Sequence, residues 1–318
     1  MLDLKPRVAI IGAGNVGIRY AYALSMSGLA RQIIIVDKNK TRCEGEVMDL
    51  SHGASYFAPV DIVAGDLNDI ADSDLIVITA GAKQLPGQTR TDLAKENTAI
   101  FRKLIPTIVK QAPDAILLVV TNPVDVLSYA TYKLSGKPAH QVIGSGTVLD
   151  SSRLRYRMAQ HCTIDPHNIH AYILGEHGDS EFAAWSKAMI GGVLLKDYCG
   201  FCHKNSSCKH DAMLHDIFTE VKNAAYSIIK LKGETSYGIG LALVAITRAI
   251  LKDEHAILPV SSLVDGYLGV RDVYMGLPNV VHKRGIREGI YIDLSKSEEA
   301  DFLKSAHVIK SFIKECKI

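Results

Sequence analysis

Long hydrophobic runs are missing from this sequence. A membrane-spanning helix needs about 18 apolar residues, and the longest run, residues 239–250, is broken by Arg248. The N-terminal apolar stretch is interrupted by Asn15 and Arg19 and makes a poor secretory signal. Cysteine is scarce: six in 318 residues is too few for a disulfide scaffold and suits a reducing compartment. Excess charge is absent too, because 36 basic against 34 acidic residues leave only +2, and no nucleic-acid partner is implied. Internal repeats and low-complexity linkers are lacking. These absences point to a soluble, cytoplasmic protein with neither membrane nor nucleic acid as partner. At 47% hydrophobic and 22% charged residues the composition is that of a globular chain, long enough to bury a core without metal or disulfides and to form two domains.

What is present is an alternation. Short β-branched or apolar runs at residues 8–11, 33–36, 60–64, 75–80, 116–121 and 141–144 are separated by helical segments. Continuous apolar runs of this length predict strands of a parallel sheet covered on both faces. The expected architecture is a doubly wound α/β sheet, the Rossmann arrangement, over about residues 5–145, giving domains at 1–145 and 146–318. The second half reads as α+β. Residues 170–175 and 256–264 look like strands, and 269–281 like a hairpin or meander. Leu214, Ile217, Phe218, Val221, Ala225 and Ile228 share one helical face, as do Phe302, Ala306, Ile309 and Ile313 after a capping box at Ser295 and Glu298.

Gly12-Ala13-Gly14-Asn15-Val16-Gly17 directly follows the first strand and opens a helix, and Asp37 lies 20 residues beyond Gly17, at the end of the second strand. That combination is a dinucleotide-binding fingerprint. Gly12 permits the tight turn, Gly14 lets the backbone approach a pyrophosphate, and Gly17 lets helix and strand pack closely. The helix N-terminus offers free N–H groups and a positive dipole end to the phosphates. A carboxylate at Asp37 accepts from a ribose diol and repels a 2′-phosphate, which favours NAD over NADP.

Three further segments carry unusual polar chemistry: residues 81–90 (GAKQLPGQTR), 149–153 (LDSSR) and 175–180 (GEHGDS). The first is a Gly- and Pro-containing loop at the C-terminal end of a strand, where open α/β sheets bind ligands. Taken alone, Arg90 reads equally as a solvated charge, His177 as a loop histidine, and Asp150 with Arg153 as a helix acid beside a surface base.

Together these segments, with VTNPVD (120–125), GSGTVLDSSR (144–153) and GETSYGIG (233–240), resemble the L-lactate dehydrogenase family. The matching motifs occur in the family's order from about residue 8 to about residue 295. The resemblance implies NAD-dependent interconversion of L-lactate and pyruvate in fermentative glycolysis. It assigns His177 as general acid and base, Asp150 as the residue orienting its imidazole, and Arg153 as the clamp on the substrate carboxylate. Arg90 arrives on the closing loop to polarise the substrate carbonyl, Asn122 bonds near nicotinamide and substrate, and Thr235 lines the pocket. Cofactor contacts are implied at Gly12, Gly14, Asn15, Val16, Gly17, Asp37, Thr79, Ala80, Gly81 and Asn122. No metal is implied.

Malate and branched 2-hydroxyacid dehydrogenases are the alternatives within the superfamily. Malate enzymes place an arginine in the mobile loop where this sequence has Gln84; Lys83 falls one place too early. A neutral amide leaves a second substrate carboxylate without a countercharge, so pyruvate is preferred. Cys199, Cys202 and His203 form a CxxCH, with Cys208 and His210 nearby; haem attachment and zinc binding are weighed against a plain surface loop, which is the reading adopted. A catalytically dead NAD-binding protein is set aside because every polar residue of the constellation is present. The resemblance extends to bacterial enzymes activated by fructose 1,6-bisphosphate. There the positions of Arg155 and His170 bind the sugar phosphates across a two-fold interface, and a homotetramer is implied. Arg155 lies two positions from Arg153 on the same segment and so points away from the substrate.

Overall fold

The computed structural model describes residues 6–83, 87–201 and 210–318. The apolar runs of the first half become strands, buried because helices cover both faces of the sheet they enter, except for the edge run at 60–64, where only Ile62 is buried. Strands β1 (Arg7–Ile11), β2 (Gln32–Val36), β3 (Asp61–Gly65), β4 (Leu75–Ile78), β5 (Ile116–Val119) and β6 (Val142–Gly144) are parallel. The helices are α1 (Asn15–Ser27), α2 (Lys40–His52), α3 (Arg90–Gln111) and α4 (Val124–Ser135), and α5 (Val148–Cys162) leads out of β6. The chain runs outward through β1, β2 and β3, then returns to lay β4, β5 and β6 on the other side of β1. Strand order thus reverses between β1 and β4, and the crevice beyond their carboxyl ends is where such sheets take ligands.

The second half supplies β7 (Ile169–His170), β8 (Ile173–Leu174), β9 (Phe182–Ala183), β10 (Met189–Ile190), β11 (Val193–Leu194), β12 (Ala256–Leu258), β13 (Ser261–Asp265), β14 (Arg271–Gly276), β15 (Asn279–His282) and β16 (Gly285–Gly289). Its helices are α6 (Leu195–Phe201), α7 (His210–Lys232), α8 (Tyr237–Leu251) and α9 (Lys296–Glu315). Three strand expectations need correction. Residues 170–175 are not one strand: His170 pairs with Met189, whereas Ile173 pairs with Ala183 in another sheet. Residues 256–264 break at Pro259, which has no N–H for a ladder, so β12 joins β15 and β13 joins β14. Residues 269–281 are neither a hairpin nor a meander, because β14 and β15 part at Pro278 into different sheets; β14 pairs back with β13, and β15 forward with β16.

The large sheet also reaches past residue 145. Antiparallel β13 pairs with β6 at Ser261 and Gly144, giving eight strands in the order β14-β13-β6-β5-β4-β1-β2-β3. One core beneath it mixes Val119 and Leu127 from the first half with Tyr274, Phe302 and Ile309 from the second. The capping box that starts α9 is formed, with the Ser295 N–H donating to Glu298 Oε2 at 2.8 Å. The α7 face packs on α5 through Ile217 and Val221. Helix α8 packs on α1, where the Tyr20 and Thr247 hydroxyls meet at 2.6 Å. No helix among the described residues is long and apolar enough to cross a membrane.

Candidate active site

The glycine turn after β1 is shaped by what surrounds it. Gly12 has φ +117°, and a Cβ there would lie 2.7 Å from the Ala80 nitrogen; one on Gly17 would lie 2.0 Å from the Gly12 carbonyl oxygen. At Gly14 nothing lies within 4 Å. Two glycines are thus demanded by the fold itself, and the third leaves room for a ligand to come against the backbone. No side chain caps the start of α1, so its first N–H groups are available to an anion. Thr79 Oγ1 donates to the Gly12 carbonyl at 2.9 Å and ties the turn to the end of β4.

Asp37, just past β2, accepts the Ala13 N–H at 2.7 Å and the Asn39 N–H at 2.8 Å. A cavity of about 730 Å³ opens here, lined by Gly12, Gly14, Asp37, Thr79, Ala80 and Gly81, a volume in the range of small-molecule sites. Asn15 is exposed at the first turn of α1. Val16, one residue on, faces a second cavity of about 300 Å³. An open Gly14, an uncapped helix start and cavities on both sides of it fit an extended dinucleotide.

The second cavity gathers Arg90, Asn122, Asp150, Arg153, His177 and Thr235 from five separate segments. His177 Nδ1 meets Asp150 Oδ2 at 2.6 Å, and Arg153 Nη1 donates to Asp150 Oδ1 at 2.9 Å. One turn of α5 places Arg153 over Asp150 at an i,i+3 spacing. The 175–180 segment is pinned beneath them. Gly175 and Gly276 exchange backbone hydrogen bonds at 2.9 and 2.8 Å, and the Glu176 N–H donates to Ser305 Oγ at 2.6 Å. Arg90, the first residue of α3, donates from Nη1 to Asp179 Oδ2 at 2.7 Å. A Cβ on Gly178 would crowd that guanidinium at 2.8 Å.

Burial alone would push the His177 imidazole down, but the charge and hydrogen bond of Asp150 outweigh it and hold the pKa at about 9. Burial would raise Asp150, yet His177 and Arg153 keep its carboxyl below the ordinary value. The ring is therefore an imidazolium through neutrality, paired with a carboxylate that stays ionised.

Several residues at the site were not singled out from the sequence. Asp125, inside the 120–125 motif, is buried and accepts the His177 N–H at 2.7 Å and the Ser261 hydroxyl at 2.6 Å; burial raises it to about 6 against those two bonds. Buried Asn97 accepts the Ala82 N–H at 2.7 Å and donates to the Asn122 carbonyl at 2.8 Å, joining the 81–83 turn to the 120–125 motif. Glu176, Asp179 and Glu181 each had a signal only in lying within or next to the 175–180 motif. Gln84, Cys202, His203 and Cys208 lie outside the described residues. Arg155 and His170 are away from the cavity: Arg155 is part-buried near Tyr172, where burial lowers its pKa, and His170 is exposed on β7.

Residues 6–144 match the lactate/malate dehydrogenase NAD binding domain, and residues 147–317 match the lactate/malate dehydrogenase alpha/beta C-terminal domain. An L-lactate dehydrogenase of Thermoanaerobacter sp. (strain X514) is 50% identical over 312 residues, covering 98% of this chain and 99% of the relative. One from Clostridium botulinum (strain Loch Maree / Type A3) is 50% identical over 305 residues, 96% and 95% of the two chains. Among solved structures, a lactate dehydrogenase from a Medee basin deep-sea metagenome library superposes with TM-score 0.94 at 41% identity, covering 99% of both chains. A minor L-lactate dehydrogenase from Enterococcus mundtii does so with TM-score 0.94 at 39% identity and 98% coverage of each.

Proposed function

The chain belongs to the lactate/malate dehydrogenase family, and from that premise we propose that it interconverts L-lactate and pyruvate with NAD. The observation that carries this reading is the His177–Asp150–Arg153 chain, whose 2.6 and 2.9 Å links lie in a cavity that adjoins the glycine cradle. NAD held along that cradle supplies the hydride acceptor in one direction and the donor in the other. The remaining chemistry falls to side chains. With Nδ1 engaged by Asp150, the imidazolium gives its Nε2 proton to pyruvate as hydride arrives, and the ring, once deprotonated at Nε2, takes the hydroxyl proton from lactate in the other direction. Asp150 fixes the ring and stabilises its protonated form. Arg153 spends one Nη on Asp150 and keeps N–H groups for the substrate carboxylate, a planar match that lysine lacks. Arg90 polarises the carbonyl from the cavity rim, Asn122 bonds near the nicotinamide and the substrate oxygen, and Thr235 lines the wall.

Residues 1–145 bind NAD and lend Arg90 and Asn122 to the substrate, while residues 146–318 supply Asp150, Arg153, His177 and Thr235. In this reading the enzyme is a cytoplasmic homotetramer of fermentative glycolysis. Fructose 1,6-bisphosphate activates it by bridging Arg155 and His170 of paired subunits. That assignment is supported by Arg155 sharing α5 with Arg153 while lying off the cavity, and by the short path from His170 to His177. Bound phosphate would then favour the assembled, active arrangement through its differential affinity.

NADH oxidation by the purified protein with pyruvate, oxaloacetate and 2-oxoisocaproate side by side tests the substrate. Pyruvate is expected to have the highest kcat/KM; a preference for oxaloacetate would make it a malate enzyme instead. Gln84→Arg is expected to raise the oxaloacetate-to-pyruvate ratio.

A further inference from the structure

His177 has a second acid beside it. Glu181, next to β9, is 7% exposed and lines the same cavity. One oxygen each from Asp150 and Glu181 and one imidazole nitrogen of His177 all lie within 4.8 Å of one another. Both Asp150 oxygens and both Asp125 oxygens accept hydrogen bonds, whereas none among the described residues reaches the Glu181 carboxyl. A carboxylate this far from bulk water ionises more readily beside a cation.

The charged groups around the pair come from five elements. Helix α5 brings Asp150 and Arg153, α4 brings Asp125, α7 brings Lys222, α3 brings Arg90, and the 175–181 segment adds Glu176 and Asp179. Asp150 is already committed to both His177 and Arg153. Asp125 adds a further countercharge from the other side, and Glu181, once ionised, adds a larger one.

We propose that Glu181 is a positioning residue for proton transfer: its carboxylate holds the proton on His177 at alkaline pH and so widens the range over which the 2-oxoacid is reduced. This rests on the reading of His177 as the proton donor. Burial first, then the charge of Asp150, pushes Glu181 up to about 8, so the carboxyl is neutral at pH 7 and does not repel a substrate carboxylate arriving at Arg153. As pH rises its charge appears, and the two groups titrate as a coupled pair rather than singly.

The test is Glu181→Gln, with Glu181→Asp as the charged control, each read in two ways. The first is the pH profile of kcat/KM for pyruvate. The second is the 13C NMR titration of the His177 imidazole in the NADH complex, assigned by its loss in His177→Asn. An opposite charge at this range moves a pKa by about one unit or more. In Glu181→Gln the alkaline limb and the imidazole titration are expected to fall together by about one pH unit, roughly tenfold in proton affinity. Glu181→Asp is expected to recover part of the shift. Titrations unchanged or moved upward in Glu181→Gln, or a loss of rate equal at every pH, would overturn the proposal. If the wild-type protein failed to turn over pyruvate, the functional reading would fall, while the imidazole titration would still decide the role of Glu181.

Discussion

Arg90 and Asp179 close the rim of the cavity that holds His177, Nη1 to Oδ2 at 2.7 Å, while the Tyr226 hydroxyl holds the other Asp179 oxygen at 3.0 Å. Both partners are well exposed, so the pair adds little to stability; its effect is to keep the guanidinium over the cavity. Arg90→Ala is expected to lower kcat/KM for pyruvate by at least about 100-fold, the scale of a lost electrostatic donor. Asp179→Asn removes only the tether and should cost a few-fold, with the melting temperature unchanged. Steady-state kinetics beside a thermal melt separate the two.

Asp150→Asn keeps the shape of the dyad and removes its charge. The largest opposition to burial of His177 is then gone, leaving Glu181 and Asp125, and the imidazole pKa should drop from about 9. Pyruvate reduction at pH 7 is expected to fall by at least about 100-fold, as it should in His177→Asn, with NADH affinity nearly intact in both. Fluorescence titration of NADH and single-turnover rates check each half of the statement.

The glycine turn yields a contrast between neighbours. A Cβ on Gly17 would meet the Gly12 carbonyl oxygen at 2.0 Å, so Gly17→Ala must move backbone and should destabilise by about 1–3 kcal/mol. Gly14 has φ −75° and open space around it, so Gly14→Ala should fold as well as wild type. Its methyl group occupies the room left for phosphate, and NADH affinity should fall. Melting temperature and NADH binding are thus expected to respond in opposite order at the two positions.

His177 and Glu181 both bind protons more tightly folded than unfolded, with pKa values of about 9 and about 8 against 6.5 and 4.5. The contribution of His177 is fully present below pH 6.5 and lost as pH rises through about 9; that of Glu181 is present below 4.5 and lost through about 8. Asp150 has the opposite sign, and its stabilisation persists across this window. Melting temperature is expected to decline from pH 6.5 to 9.5, and to decline less in Glu181→Gln.

Pyruvate saturation should be sigmoidal without effector and hyperbolic with millimolar fructose 1,6-bisphosphate. Arg155→Gln with His170→Gln should abolish the response. Curves unaffected by the bisphosphate, or full activation in the double variant, would remove this form of regulation.

The cofactor cradle was legible in the sequence because its logic is local: Gly12, Gly14, Gly17 and Asp37 belong to one strand–helix–strand unit. The polar motifs exposed the residues of the dyad, though not their contacts. Asp125 reaches His177 across 52 positions and Arg90 reaches Asp179 across 89; spacing along a chain says nothing about either. Glu181 was illegible for a different reason, since only its burial beside Asp150 distinguishes it from a surface glutamate. Strand limits failed where partners decide. Residues 170–175 have the β-propensity of a single strand, yet His170 and Ile173 find different neighbours.

The return of β13 and β14 to the large sheet has a mechanical meaning. Gly276 at the end of β14 is bonded to Gly175, immediately before the segment that carries His177. The segment that carries His177 is thereby tied by backbone hydrogen bonds to the same sheet that holds the glycine cradle. A fragment ending near residue 145 would leave β6 as a raw edge with unpaired N–H and C=O groups, an invitation to self-association.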